Sequence, residues 1–127
     1  MTDVPEQPLA FSRVRFVLAR TSHPGNIGSA ARAIRTMGFR RLSLVAPAEY
    51  PHMDAHKMAA GADDVLEAAE RFDSLREAVA ECSLVLGATA RLRGVALQEL
   101  NPRMAARRAL DAAGQGREVA LVFGNEQ

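Results

Sequence analysis

The sequence predicts an α/β fold: a parallel sheet covered by helices on both faces. Three observations lead there. Apolar runs short enough for strands alternate along the chain with segments of helical period. Those runs are too continuously apolar to have one face in water, which is the mark of a parallel sheet. The length, 127 residues with 48% hydrophobic and 24% charged, suits one domain with one core.

In chain order, "RVRFVLAR" (13–20) sets Val14, Phe16 and Leu18 against Arg13 and Arg15, the period of two of a strand. Residues 26–37 change period. Ile27, Ala30, Ala31, Ile34 and Met37 share one helical face, and Gly38 is placed to end the helix. "RLSLVAP" reads as a second strand stopped by Pro47, and "HMDAHKMAAGA" as a short helix. "SLREAVAEC" is another helix, opened by Ser74 with Glu77 three residues on, a capping box. "SLVLGAT" is an apolar strand. "NPRMAARRALDAAG" has Asn101 as cap, Pro102 at the first helical position and Gly114 at the stop; "EVALVFG" is the last strand. Residues 1–12 are expected to be a flexible lead, and 13–127 the domain.

Several functions are disfavoured at once. No run of 18 apolar residues is present, and the acidic, proline-bearing start lacks the basic and apolar regions of a signal peptide, so a cytoplasmic protein without a membrane partner is expected. Cys82 is alone in the apolar "CSLVLGA" and reads as a small buried hydrophobe. His52 and His56 have zinc spacing but no recognisable third ligand, so no metal is expected. Asp63 and Asp64 read as a solvated acidic face. One tyrosine and five phenylalanines are too few for a base-stacking platform.

Charge is distributed unevenly. Residues 7–48 hold seven arginines and no acid, whereas residues 62–81 hold seven acids and two arginines. Fifteen of the sixteen basic residues are arginine, whose planar fork suits phosphate. The arrangement predicts one face directed at a polyanion. Ligands of parallel sheets bind beyond the strand carboxyl ends, here "TSHPGN", "APAEY", "GATARLRG" and "FGNEQ". "PGNIGSAAR" satisfies neither the dinucleotide nor the P-loop pattern. Its two glycines serve either close approach of a partner to a helix mouth or tight packing, and Ser29, Arg32 and, less directly, Arg35 make a basic ridge away from the apolar stripe.

"NIGSAARAIRTMGF", "GATARLRG" and "LVFGNE", with "TSHPGNIGS" and "AAGADDVL", resemble the knotted SPOUT superfamily of methyltransferases, and within it the TrmJ type of tRNA ribose 2′-O-methyltransferase. The resemblance runs from about Val14 to Glu126. It implies transfer of a methyl group from S-adenosylmethionine to the 2′-hydroxyl of the cytidine or uridine that opens the tRNA anticodon loop, by a homodimer. The family's first motif falls on Asn26, Gly28 and Arg32, its second on Gly124 and Glu126, and its middle cofactor loop on Ala88, Thr89 and Ala90. The resemblance thus implies Arg32, Asn26 and Glu126 as catalytic residues and Ala88, Thr89, Ala90 and Gly124 as cofactor-binding ones. The RNA contacts expected are Arg20, Gly28, Ser29, Arg35, Arg91 and Arg93. An arginine is too weak an acid to act readily as a base, so Arg32 is read as a clamp on phosphate and developing oxyanion, and Glu126 as orienting Asn26 and the loop.

The family's sequence continues past the glutamate into a knotted tail that supplies much of the adenosine pocket. This sequence ends at Gln127, and on that ground an inactive fragment that binds cofactor poorly is expected. Two alternatives stay open: a non-catalytic RNA-binding remnant, and a small flavodoxin-like anion or nucleotide binder.

Overall fold

The computed structural model describes residues 9–88 and 102–124. Five strands, β1 (Val14–Ala19), β2 (Arg41–Val45), β3 (Glu70–Phe72), β4 (Leu84–Ala88) and β5 (Val119–Gly124), form one sheet in the order β3-β2-β1-β5-β4. Every pairing is parallel, as the continuous apolar runs predict. The helices are α1 (Pro24–Thr36), α2 (Met53–Ala59), α3 (Asp63–Glu67), α4 (Leu75–Ala78) and α5 (Pro102–Gly114).

Both faces of the sheet are covered, unequally. On one, Val14, Phe16, Leu42, Leu44 and Val119 pack with Ile27, Ala31 and Ile34 of α1 and with residues of α2, α3 and α5. On the other, Val17, Val45 and Ala120 meet Ala78 of α4. Of the polar members of the first strand's alternation, Arg13 is half-buried and Arg15 does not reach water: it is 2% exposed, since α4 lies over its face. Its guanidinium donates to the Ala78 carbonyl at 3.0 Å and bridges Glu118 and Glu81 at 3.2 and 3.4 Å.

Helix α1 owes its place to Ile27, Ala31 and Ile34, which lie at positions i, i+4 and i+7 and are buried. Pro24 occupies its first turn. Its end is a Schellman turn: the Gly38 N–H donates to the Arg35 carbonyl and the Phe39 N–H to that of Ile34, with Gly38 at φ +92°. Met37, expected on the apolar face, is instead the half-exposed C-cap.

The capping box at α4 forms, with Ser74 Oγ accepting from the Glu77 N–H at 3.2 Å. The return bond comes from the Asp73 N–H to the Glu77 carboxylate. Three differences from the expectation stand out. Residues 9–12 of the expected flexible lead belong to a 3-10 turn, Leu9–Arg13, in which Phe11 stacks on Phe39 with centroids 4.3 Å apart. The acidic stretch contains α3, because Val65 and Leu66 are buried. It also contains the edge strand β3, which pairs with β2 over three residues. Among the described residues no helix is long and apolar enough to cross a membrane.

Candidate functional site

The carboxyl ends of β1, β5 and β4 finish side by side, with Ala19 opposite Gly124 and Ala88 opposite Phe123. Gly124 has φ +152°, and a Cβ there would overlap the Ala19 carbonyl oxygen and come within 2.7 Å of the Ala19 nitrogen. Only glycine lets β5 close onto β1 in this way. The bareness is used against β1, so Gly124 draws the end of β5 inward rather than opening room on that side. On β4, by contrast, Gly87 has nothing within 4 Å of where a Cβ would stand among the described residues.

Past β1 the chain bends sharply. Arg20 is left-handed at φ +57° while its N–H still donates to the Val45 carbonyl at 2.7 Å. Ala46, just past β2, repeats the device at φ +45°. The Thr21 carbonyl accepts from the Ala48 N–H, which ties the two loops together. Non-glycine residues in this region carry strain of order 1 kcal/mol or more, and such strain gathers at functional sites. Helix α1 then starts at this rim with Asn26 in its first turn and no acid there to offset the positive end of its dipole.

The predicted residues therefore divide into two groups. Arg20, Asn26, Ala88 and Gly124 converge at the carboxyl rim. Arg32 and Arg35 lie further along α1, both exposed with Ser29 on its outer side; Arg35 is roughly 13 Å down the axis from Asn26 by helical rise. Gly28 faces the other way. It is buried, and a Cβ on it would overlap the Ala55 carbonyl oxygen and press on the Ala59 nitrogen of α2. Its missing side chain serves the crossing of α1 and α2, not an exposed RNA contact. Thr89, Ala90, Arg91, Arg93 and Glu126 lie outside the described residues.

Beside the far end of α1 is a hollow of about 410 Å³, bordered by Arg32, Arg35, Thr36, Phe39 and Arg40 and by the turn 59–62 after α2. Arg35 reaches Asp64 of α3 at 2.9 Å with both side chains half exposed. Arg40 was not singled out by sequence reasoning. Its only signal is the pair Arg40–Arg41 directly after the helix stop, and adjacent arginines before a strand point to opposite sides.

The arginine-rich first third does not make one face. Arg13 donates to the Ala113 carbonyl, Arg15 is buried beneath α4, and Arg41 pairs with Glu118 at 3.0 Å and Glu70 at 3.8 Å. The acids that sequence separates from the arginines meet them in space: Glu70 with Arg41, Glu81 with Arg15, Asp64 with Arg35. Burial raises the Cys82 thiol above its ordinary pKa, against the pull of nearby Arg15. Burial disfavours the Arg15 charge, yet Cys82, Glu118 and Glu81 hold its pKa raised, so the guanidinium is a fixed charge. The histidines take separate tasks. His52 Nδ1 accepts from the Asp54 N–H at the start of α2, and His56 Nδ1 lies 2.7 Å from Asp63.

Residues 13–127 match the family described as SpoU rRNA methylase. The chain is 51% identical over 114 residues to the tRNA (cytidine/uridine/adenosine-2′-O-)-methyltransferase TrmJ of Pseudomonas aeruginosa, covering 90% of this chain and 44% of that protein. It thus spans less than half the length of that curated relative. A probable methyltransferase of Bordetella pertussis superposes with a TM-score of 0.82 at 47% identity, over 93% of this chain and 72% of that one. The fold also matches the SpoU methyltransferase AviRb of Streptomyces viridochromogenes, solved with AdoMet, at a TM-score of 0.59 and 19% identity over 98% of this chain and 46% of that one.

Proposed function

The chain belongs to the SpoU rRNA methylase family, and on that footing we propose that the whole protein transfers a methyl group from S-adenosylmethionine to the 2′-hydroxyl of a tRNA nucleotide, the cytidine or uridine that opens the anticodon loop. The observation that carries the reading is the convergence of Arg20, Asn26, Ala88 and Gly124 on one rim, with the exposed arginines of α1 leading away from it. The choice of tRNA follows the 51% identical relative.

The cofactor supplies a methyl group already activated on a sulfonium, so the protein's task is alignment and charge. Ala88, Thr89, Ala90 and Gly124 would hold it. Arg32 clamps a phosphate and stabilises negative charge growing on the 2′-oxygen, which a preorganised donor can do to the extent of roughly 3–4 kcal/mol. Asn26 sits at the positive end of α1, and Glu126 orients Asn26 and the loop. Arg20, Ser29, Arg35, Arg91 and Arg93 contact the RNA. A second copy of the chain is the further proposed partner, to be tested by sedimentation, and the cytoplasm, where tRNA is found, the proposed location.

The test is methyl transfer from labelled S-adenosylmethionine to an unmodified tRNA transcript by the whole protein. Label is expected on one ribose, and a transcript carrying a 2′-deoxyribose there should accept none. Arg32→Ala should lower the rate about a hundredfold or more while leaving the thermal midpoint nearly unchanged. Equal labelling of the deoxy transcript would remove the ribose assignment. RNA binding without any transfer would favour the non-catalytic reading.

A further inference from the structure

Arg40 and Arg41 are neighbours with opposite fates. Arg41 is taken up by Glu118, Glu70 and the Ser12 carbonyl. Arg40 is exposed at the edge of the hollow, and neither it nor Arg32 has a carboxylate partner among the described residues. The third guanidinium, Arg35, has Asp64 as its partner, and that pair is half exposed. An exposed pair of this kind is worth about 0–1 kcal/mol and yields readily to a stronger ligand.

The hollow is also firmly built. Phe39, on its wall and directly before Arg40, is stacked on Phe11 and meets Phe16 edge-on with centroids 5.1 Å apart. Its backbone N–H is fixed on the Ile34 carbonyl at 2.9 Å. Across the opening, Ala60 and Gly61 adopt φ +48° and +99° and offer no large side chain to block approach. The C-terminal ends of α1 and α2 would by themselves repel an anion. Their last carbonyls are partly offset, because Ala33, Ile34 and Arg35 accept from Met37, Phe39 and Gly38, and Ala59 accepts from Ala62. Three guanidiniums facing one hollow outweigh what remains, and the planar fork of arginine matches phosphate oxygens.

We infer that this hollow binds a backbone phosphate of the RNA, a contact separate from the rim, with Arg40 as its main ligand and Asp64 as the group the phosphate displaces from Arg35. The inference rests on the proposed RNA substrate and deepens it. Arg32, one turn nearer the start of α1 than Arg35, is shared between the hollow and the reacting ribose. Arg35 and Arg40, at the far end of the hollow, hold the neighbouring phosphate and so fix the RNA's orientation. Asp64 acts as a counter-charge that keeps Arg35 ordered when RNA is absent.

The experiment measures binding of a labelled, unmodified tRNA transcript to the whole protein as a function of salt, for wild type, Arg40→Gln, Arg40→Lys and Asp64→Asn. Arg40→Gln should weaken binding about three- to tenfold near 0.1 M salt and reduce the slope of log affinity against log salt by about 0.7–0.9, the loss of one phosphate contact. Arg40→Lys should keep the slope. Asp64→Asn should tighten binding about two- to fivefold, since it removes a competitor of the phosphate and a negative charge from the hollow. That opposite sign is a result which general damage to the fold would not produce. Wild-type binding with unchanged affinity and slope in Arg40→Gln overturns this inference alone, as does weaker binding in Asp64→Asn. Absence of salt-dependent tRNA binding by the wild type overturns the RNA reading as well. A parallel titration with inorganic phosphate separates the sources. Phosphate binding that is lost in Arg40→Gln while tRNA binding is not makes the hollow a free-anion site and sinks the inference.

Discussion

At Gly28 two effects of a single methyl group oppose each other, and their magnitudes decide the outcome. Alanine in place of glycine inside a helix gains about 1 kcal/mol in propensity. Here the new Cβ would overlap the backbone of Ala55, which cannot swing aside as a flexible side chain could. Overpacking of that kind costs about 1–3 kcal/mol or more. Because the obstacle is backbone, the cost lies at the upper end, about 3 kcal/mol, and Gly28→Ala should lower stability by about 2 kcal/mol net, with a fall in thermal midpoint of roughly 5–10 °C by calorimetry. Ser29→Ala, one residue along on the exposed side, should change it by less than about 0.5 kcal/mol. A midpoint unchanged in Gly28→Ala would mean that α1 and α2 can slide apart freely. Cys82 offers a second test at this scale. Its thiol pKa is raised by burial, so the reactive thiolate is scarcer at a given pH than for a free cysteine. Alkylation by iodoacetamide should be slow at pH 8 and accelerate only as pH passes above the ordinary thiol value of 9.0; fast labelling at pH 7 would contradict the environment described.

Among the elements, α1 joins the two parts of the proposed site. Its inner side is set by Ile27, Ala31 and Ile34, its contact with α2 by Gly28, and its outer side by Ser29, Arg32 and Arg35. The helix begins at the rim and ends beside the hollow, so one rigid rod fixes the distance between the two proposed RNA contacts. Helix α4 is short and its role is coverage: Ala78 closes the second face over Val17 and Val45, and its carbonyl receives Arg15. With only four residues it depends on its cap. Ser74→Ala removes the acceptor for the Glu77 N–H and should cost about 1 kcal/mol, read from urea unfolding. Loss of that order with an unchanged m-value would indicate a local effect; no loss would mean water replaces the hydroxyl at no cost.

Across the whole molecule, charge is sorted by depth. Glu118 joins Arg15 and Arg41 at the amino-terminal side of the sheet, opposite the rim. Arg15 is buried, so removal of Glu118 leaves a desolvated cation with a poorer set of partners, the exposed Glu81 and the Ala78 carbonyl. Glu118 is itself about one-third exposed, which lowers the penalty below the 3–5 kcal/mol of a fully buried pair. Glu118→Ala should destabilise by about 1–3 kcal/mol, with little difference between 0.1 and 1 M salt, whereas Asp64→Ala should change stability by less than about 1 kcal/mol and less still at high salt. Equal salt sensitivity of the two would place Glu118 in solvent.

The sequence by itself determined the strand and helix alternation, the parallel sheet, the start and stop of α1, the cap of α4 and the family. These depend on local periodicity, on proline and glycine geometry and on motif order, all of which are properties of neighbours in the chain. Tertiary structure decided the rest. It alone placed Arg15 under α4, moved the polar side of a strand into the core, and paired the acids of 62–81 with arginines dozens of residues away. It also gave Gly28 to a helix crossing and set Arg40 apart from Arg41. Each of these outcomes turns on which surface a second element covers, and that is settled by packing between segments distant in sequence, where no local pattern carries the information.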